Sequence, residues 1–464
     1  MGIQNKIAQY RAYRAGVKHC TFNPDGPGVV RIHLVPPSPR LFRNPGYIVI
    51  LNGYYLIPLG YSWAVLLSAL IDEVNAYDGQ EMSEEEIAAL TERTIKRTRR
   101  VYPTTDASVV REDLSWMMDV LFEIARGGDV DEDIEKLSIR SYAKYMGAPH
   151  RMDLMIRAMT DSQNCWQCNQ KCLFCYAAGQ SYAKVEELST DEWKRAIDKL
   201  RASGVPMLTF TGGEPTQRAD LAELVAYAKW FVTRVNTNGV LLTPELAAQL
   251  KKGGLDSLQI TLYSSDEDIH NKLVGSTHHA DTLRGIEAAV AAGLDVSINT
   301  PLCSLNADYM ATLSLIHSLG VRFVTISGLI CTGTALQNHE AYDLTEHELI
   351  DILRAAKAFC DEHDMEMDFT SPGLIAKEVL EELGLNVPSC GAALSNMAIA
   401  PDGTVVPCQS WLSGEAGLGN ILTDRWKNIW KHPRALSLRR MNDREALLCP
   451  FRTNHKEVGE HGKE

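Results

Sequence analysis

Residues 165–176 read CWQCNQKCLFCY. Four cysteines, Cys165, Cys168, Cys172 and Cys175, fall within eleven positions. Thiolates are soft metal ligands, so two readings compete. One tetrahedral zinc takes all four. Alternatively Cys168, Cys172 and Cys175, spaced C-x3-C-x2-C, hold three irons of a 4Fe–4S cluster. The fourth iron is then left for a small chelating molecule. Zinc-binding C-x2-C pairs are usually separated by a finger of about a dozen or more residues. Here three residues separate them, which favours the cluster and makes Cys165 a bystander.

Outward from this loop, strand and helix signals alternate. RMDLMIRAMT (151–160) reads as a strand and TDEWKRAIDKLRASG (190–204) as a helix. MLTFTGG (207–213), VTRVNTNG (232–239), DSLQITLYS (256–264), LDVSINTPL (294–302) and VRFVTISGLI (321–330) read as further strands. Helical spacing fills the gaps at 218–231, 243–254, 279–293 and 307–320. Six βα units imply a parallel sheet with right-handed crossovers. Six are too few to close an eightfold barrel, so the expected fold is α/β, an open or partial barrel. Ligands of such sheets sit at the C-terminal strand ends, where the cysteine loop also lies.

The flanks differ. GYIVILNGYYLIPLG (46–60) reads as a hairpin around Asn-Gly. Helical patterns follow at 62–74, at 83–103 behind a Ser-x-x-Glu capping box, and at 111–128. This is a small N-terminal α+β unit, with acidic GGDVDEDIEK (127–136) as its linker. After residue 340 a helix is expected over 345–363. CGAALSNMAIAPDGTVVPCQS (390–410) then shows two strand-like runs around a PDG turn. The expected division is 1–145, 146–340 and 341–464.

The cysteine loop resembles the defining motif of the radical SAM superfamily. The likeness continues in TGGEP (211–215) at the end of the second strand. In that family Phe174 would pack near the adenine, Gly212 and Gly213 would let backbone approach S-adenosylmethionine, and Glu214 would accept from its amino group. A carboxylate facing an ammonium, beside glycines that remove a steric obstacle, is reasonable chemistry for that task. Thr261 sits where the family places a polar residue facing the ribose, and Asn299 at a comparable position on the fifth strand. Each also reads as an ordinary strand or turn residue. NTNG (236–239) and DIHNKLVG (268–275) resemble further family segments, with His270 expected to be structural. The resemblance implies one-electron cleavage of S-adenosylmethionine, with a reductant such as flavodoxin or ferredoxin, and hydrogen abstraction from a substrate.

Cys390, Gly403 and Cys408 form C-x12-G-x4-C, which resembles the SPASM/twitch extensions of radical SAM maturases. Cys449 lies where a further C-x2-C would begin, but Arg452 stands in place of its partner. Three thiolates support at most one auxiliary iron–sulfur cluster. Its fourth iron would be open or held by Cys331, Cys360 or substrate. The N-terminal unit resembles, in pattern and position, the PqqD-like element that binds a leader peptide as an added strand. The expected function is therefore maturation of a ribosomally made precursor peptide. Two alternatives remain: the same chemistry on a small molecule, such as a sugar or cofactor precursor, and an iron–sulfur electron carrier or redox sensor.

A net charge of −13 without a basic block argues against nucleic acid. No apolar run approaches a membrane span and no signal h-region opens the chain. The eleven cysteines are clustered, as in metal ligation within a reducing cytoplasm, rather than spread as a disulfide framework.

Overall fold

A computed structural model describes residues 17–22, 30–36, 47–53, 55–77, 82–125, 128, 143, 146–161 and 163–451. The chain divides into two compact units. The first comprises Met1–His150, Asp198–Met207 and Trp230–Val232; the second comprises Arg151–Ile197, Leu208–Lys229 and Thr233–Glu464.

The first unit contains a four-stranded antiparallel sheet in the order β1-β2-β3-β4: Lys18–Phe22, Val30–Val35, Tyr47–Leu51 and Tyr55–Leu59. β3 and β4 form the hairpin expected from Asn-Gly. Leu51 faces Tyr55 across the turn, and Asn52 and Gly53 take φ of 51° and 68°. These left-handed conformations are the ones Asn and Gly tolerate best. β1 and β2 were not anticipated: KHCTF is half polar, and VRIHLV carries an arginine and a histidine within its apolar run. Three helices follow, α1 (Tyr61–Asn75), α2 (Glu84–Arg99) and α3 (Ala107–Ala125). Ser83 and Glu86 close the expected capping box on α2. Leu67 and Ile71 of α1, Ile95 of α2 and Leu114 and Ile124 of α3 bury one continuous core with Ile32 and Val49 of the sheet. Of the acidic stretch 127–136, only Gly128 is among the described residues.

The second sheet has nine strands in the order β11-β10-β9-β8-β7-β6-β5-β12-β13. Six of them are those read from the sequence: β5 (Arg151–Arg157), β6 (Met207–Gly212), β7 (Val232–Thr237), β8 (Ser257–Thr261), β9 (Asp295–Pro301) and β10 (Phe323–Ser327). The helices between them are α4 (Thr190–Ser203), α5 (Leu221–Tyr227), α6 (Pro244–Lys252), α7 (Glu267–Val274), α8 (His279–Ala291) and α9 (Tyr309–Ser318). Thr243 caps α6 by accepting from the Leu246 N–H, with Pro244 at the first helical position. Strands alternate apolar and polar residues. Leu208, Phe210, Val235, Leu258, Ile260 and Ile298 are fully buried, and Thr209, Thr211, Asn236, Gln259, Ser297 and Thr325 alternate with their neighbours. Period-two alternation puts the two sets on opposite faces of the sheet.

Three more strands extend this sheet. After a short helix α10 (Ala335–Asn338) and the capped helix α11 (Glu346–Glu362), β11 (Glu366–Phe369) pairs parallel with β10. At the other edge β12 (Asn396–Ile399) pairs parallel with β5, and β13 (Val405–Val406) turns back antiparallel on β12. The PDG hairpin between the C-terminal cysteines is thus the continuation of the barrel sheet. Among the described residues no helix is long and apolar enough to cross a membrane.

Candidate functional site

The cysteine loop leaves the C-terminal end of β5 and is fastened at each turn. Gln167 donates its N–H to Met159 O at 2.9 Å, and Trp166 Nε1 donates to Gln170 O at 2.9 Å. The N–H groups of Lys171 and Leu173 reach Val274 O and Leu273 O at the end of α7, at 2.9 and 2.8 Å. From beyond β10, the Thr334 N–H donates to Cys175 O at 3.0 Å and Asn338 Nδ2 to Leu173 O at 3.0 Å. The loop is therefore preset before any cofactor binds.

Cys168, Cys172 and Cys175 are half-buried, while Cys165 is exposed with its N–H on Asp161 Oδ1 at 2.8 Å. Burial pushes the Cys168 thiol up to about 12, with Glu214 and Cys175 adding to the rise. Cys172 lies well above its ordinary value, from burial first and then from Cys175 and Cys168. Burial raises Cys175 as well. Desolvated thiols within electrostatic reach of one another become ligands when a cation compensates their charge. Among the described residues no three His, Cys, Asp or Glu side chains are arranged to chelate a single metal ion.

Gly212, Gly213 and Glu214 follow at the end of β6. Gly212 has φ of 136°, and a Cβ there would strike the carbonyl oxygen of Arg157. A Cβ on Gly213 would stand 2.7 Å from Ala158 O. Both glycines are required by the close approach of β5 backbone, a reason the sequence did not disclose. Glu214 is 1% exposed. Its Oε1 accepts from Thr216 N (3.0 Å), Thr216 Oγ1 (2.6 Å) and Thr237 Oγ1 (2.6 Å), and its Oε2 from Asn238 N (2.8 Å). Burial raises its carboxyl above the usual range, against these four donors. An ionised carboxylate offers about four lone-pair sites, and Oε2 uses one of its two. That leaves room for one further donor, which suits an ammonium.

Thr237 and Asn238 were missed as individual residues, although NTNG was noted. Asn238 also ties the two loops together, donating from Nδ2 to Asn169 Oδ1 at 2.6 Å. Phe174 is buried with Tyr263 and Leu329, its ring edge-on to Tyr342 at 5.6 Å. Thr261 and Asn299 are direct neighbours in the β8–β9 register. Asn299 Oδ1 accepts from Thr325 Oγ1 at 2.9 Å. His270 is buried, and its proton affinity is lowered to about 4 by burial and by His279. A neutral ring accepting the Tyr263 N–H at 3.4 Å is a structural role.

The second cysteine set gathers at the β12–β13 edge. Cys390, Cys408 and Cys449 are half-buried. Burial pushes Cys408 up to about 12, and Cys449, Cys390 and Asp153 add to it. Gly403 takes φ of 87° in the turn, as the spacing motif requires. Arg452 lies outside the described residues. Gln180 joins the two sets: its Nε2 donates to Tyr176 O and to Ser410 O at 3.1 Å, and its Oε1 accepts from Leu412 N at 3.0 Å. Tyr176 follows Cys175 directly, and the Ser410 N–H points to Cys408 Sγ at 3.3 Å.

The profile of the radical SAM superfamily matches residues 167–316, and that of the SPASM iron–sulfur cluster-binding domain matches 390–451. An AdoMet-dependent heme synthase of Oleidesulfovibrio alaskensis is 30% identical over 282 residues, 57% of this chain and 72% of that protein. A PqqA peptide cyclase of Ruegeria pomeroyi is 29% identical over 254 residues, 53% of this chain and 65% of that protein. The crystal structure of Streptococcus suis SuiB bound to precursor peptide SuiA has a TM-score of 0.58 at 14% identity, over 86% of this chain and 88% of SuiB. The chain belongs to the radical SAM superfamily and carries a C-terminal SPASM domain. Membership brings a 4Fe–4S cluster with S-adenosylmethionine, and the SPASM domain brings auxiliary iron–sulfur binding. The desolvated thiols of Cys168, Cys172 and Cys175, which influence one another electrostatically, and the carboxylate of Glu214 are groups of the chemistry that such a cluster and an ammonium take.

Proposed function

We propose that this radical SAM enzyme modifies a ribosomally synthesised precursor peptide, forming a thioether, a carbon–carbon crosslink or an epimerised centre. One observation carries the reading. The likeness to SuiB spans 86% of the chain, more than the second unit alone supplies, so it extends into the N-terminal unit. Residues 1–145 would bind the leader, 146–340 the cofactor and 341–464 the auxiliary cluster. Among the described residues β1 and β4 are the outer strands of the first sheet, and outer strands are where a peptide strand can add.

When bound, the cluster and S-adenosylmethionine would supply one-electron, radical-forming chemistry. The chain's part is to bind and orient. Cys168, Cys172 and Cys175 would hold three irons, and Glu214 would take the amino group of the cofactor. Phe174 would pack near its adenine, and Thr261 and Asn299 would offer polar groups to its ribose. Of these groups Glu214 and Phe174 are buried and the others half-buried.

The relatives named heme synthase favour a second reading, in which the substrate is a heme precursor. One experiment separates the two. Reconstituted enzyme with dithionite and S-adenosylmethionine is given either a short peptide encoded beside its gene or an iron porphyrin. Peptide-dependent 5′-deoxyadenosine, with a mass change in the peptide, supports the first. Stimulation by the porphyrin alone overturns it in favour of the second.

A further inference from the structure

The eleven cysteines sort by burial into groups that match their chemistry. Cys20, Cys303 and Cys360 are buried and Cys165 is exposed. Seven are half-buried: Cys168, Cys172, Cys175, Cys331, Cys390, Cys408 and Cys449. Three of these form the motif of the first cluster. The SPASM-matched segment accounts for three more, and the spare one is Cys331, outside that segment.

The backbone brings Cys331 to that segment. Its N–H donates to Phe451 O at 2.7 Å, two residues beyond Cys449. The N–H of Cys390 donates to Ala446 O at 2.6 Å, three residues before Cys449. The stretch carrying Cys449 is therefore held at both ends by the backbone amide of another cysteine. Phe451 also meets the ring of Trp411 at 5.3 Å, three residues after Cys408. Cys408 in turn lies within electrostatic reach of Cys390 and Cys449. Cys360 has no such tie: it is fully buried in α11, its carbonyl taken by the Met365 N–H at 2.9 Å.

We infer that Cys331 is the fourth thiolate of the auxiliary site, with Cys390, Cys408 and Cys449. It takes the place that Arg452 leaves unfilled. The inference rests on the reading of the SPASM segment as a cluster site. Four cysteines close the coordination of a 4Fe–4S cluster, so no iron remains for substrate. The auxiliary cluster then serves electron transfer and does not anchor the substrate. Cys331 also joins the two centres mechanically. The next residue, Thr332, donates its hydroxyl to Tyr176 O at 3.0 Å, and Gly333 packs against the backbone of Cys175 and Tyr176.

The test needs neither S-adenosylmethionine turnover nor substrate. A Cys168→Ala/Cys172→Ala/Cys175→Ala protein isolates the auxiliary site and, reconstituted without air, is expected to hold about four irons and four sulfides per chain. Adding Cys331→Ala is expected to lower this to about three irons, with an oxidised-state 3Fe–4S resonance, or to abolish binding. Adding Cys360→Ala is expected to change nothing. Retention of all the iron with an unchanged electron paramagnetic resonance spectrum in the Cys331→Ala protein overturns the inference alone. Absence of iron while Cys331 is intact overturns it together with the cluster reading. If Cys331→Ala fails to fold, the Cys331-intact triple variant decides: added imidazole or cyanide leaves a fully ligated cluster's spectrum unaltered, and a shift shows an open iron and overturns the inference.

Discussion

Oε2 of Glu214 accepts the backbone N–H of Asn238 at 2.8 Å, so the turn after β7 aims the carboxylate at the end of β6. Three further donors from Thr216 and Thr237 saturate Oε1. These donors hold the side chain in place, and Oε2 accepts from one donor where Oε1 accepts from three. Glu214→Gln removes the charge and offers a donor where an acceptor is needed. Losing a charge-assisted hydrogen bond of about 1.5–3 kcal/mol should weaken S-adenosylmethionine binding by about 10–100-fold. Iron content should stay at the wild-type level. Unchanged affinity, read from the cofactor's effect on the cluster's spectrum, would remove Glu214 from this role.

Gly213 faces the β5 backbone rather than open space. Gly213→Ala should cost about 1–3 kcal/mol, because a methyl 2.7 Å from Ala158 O forces β5 and β6 apart. Gly212→Ala should cost at least as much, adding strain at φ of 136° to its own clash with Arg157 O. Thermal unfolding checks both. Variants as stable as wild type would mean that the strands yield without penalty.

Cys165 stands exposed at the front of the loop and takes no part in the half-buried triad. Cys165→Ala should leave 5′-deoxyadenosine release within about twofold of wild type, since exposed substitutions away from such features are usually within about ±0.5 kcal/mol. Alanine at Cys168, Cys172 or Cys175 should abolish it. Loss of activity with loss of iron in Cys165→Ala would reinstate a four-thiol site.

His19 in β1 is held neutral. Burial, with Arg31 and Arg201 assisting, lowers its proton affinity from 6.5 to about 3. His33 is lowered in the same direction, first by burial. Below pH 6.5 the unfolded chain binds protons that the folded chain refuses. The stability concerned is whole above that pH and falls as acid is added. The expected loss for His19 is about 1.4 kcal/mol per pH unit, roughly 2 kcal/mol by pH 5. Denaturant unfolding of the full chain at pH 7 and pH 5 measures it. A His19→Gln protein with the same pH slope as wild type would exclude His19 as a source.

Much of this molecule was legible before its structure. The cysteine spacing, the Gly-Gly-Glu turn, the Asn-Gly hairpin and the Ser83–Glu86 capping box are local devices, each confined to a few consecutive residues. The six βα units were legible because each strand signal is followed by a helical pattern, so the repeated alternation supports every member. β1, β2 and β11 were not, because runs such as KHCTF and EMDF are short and half polar. Their strand state is supplied by the neighbour they pair with.

The sequence by itself determined which thiols carry the superfamily's spacing, where the chain turns on glycines, and that Arg452 stands where a further C-terminal cysteine would. Tertiary structure alone decided how distant pieces meet. It laid the 396–399 strand beside β5, turned Asn238 onto Glu214, spanned the two cysteine loops with Gln180, and fastened the Cys331 backbone beside Cys449. Motif spacing records ligands a few residues apart, while contacts across tens to hundreds of residues arise only when strands pair and loops pack, so no local pattern announces them.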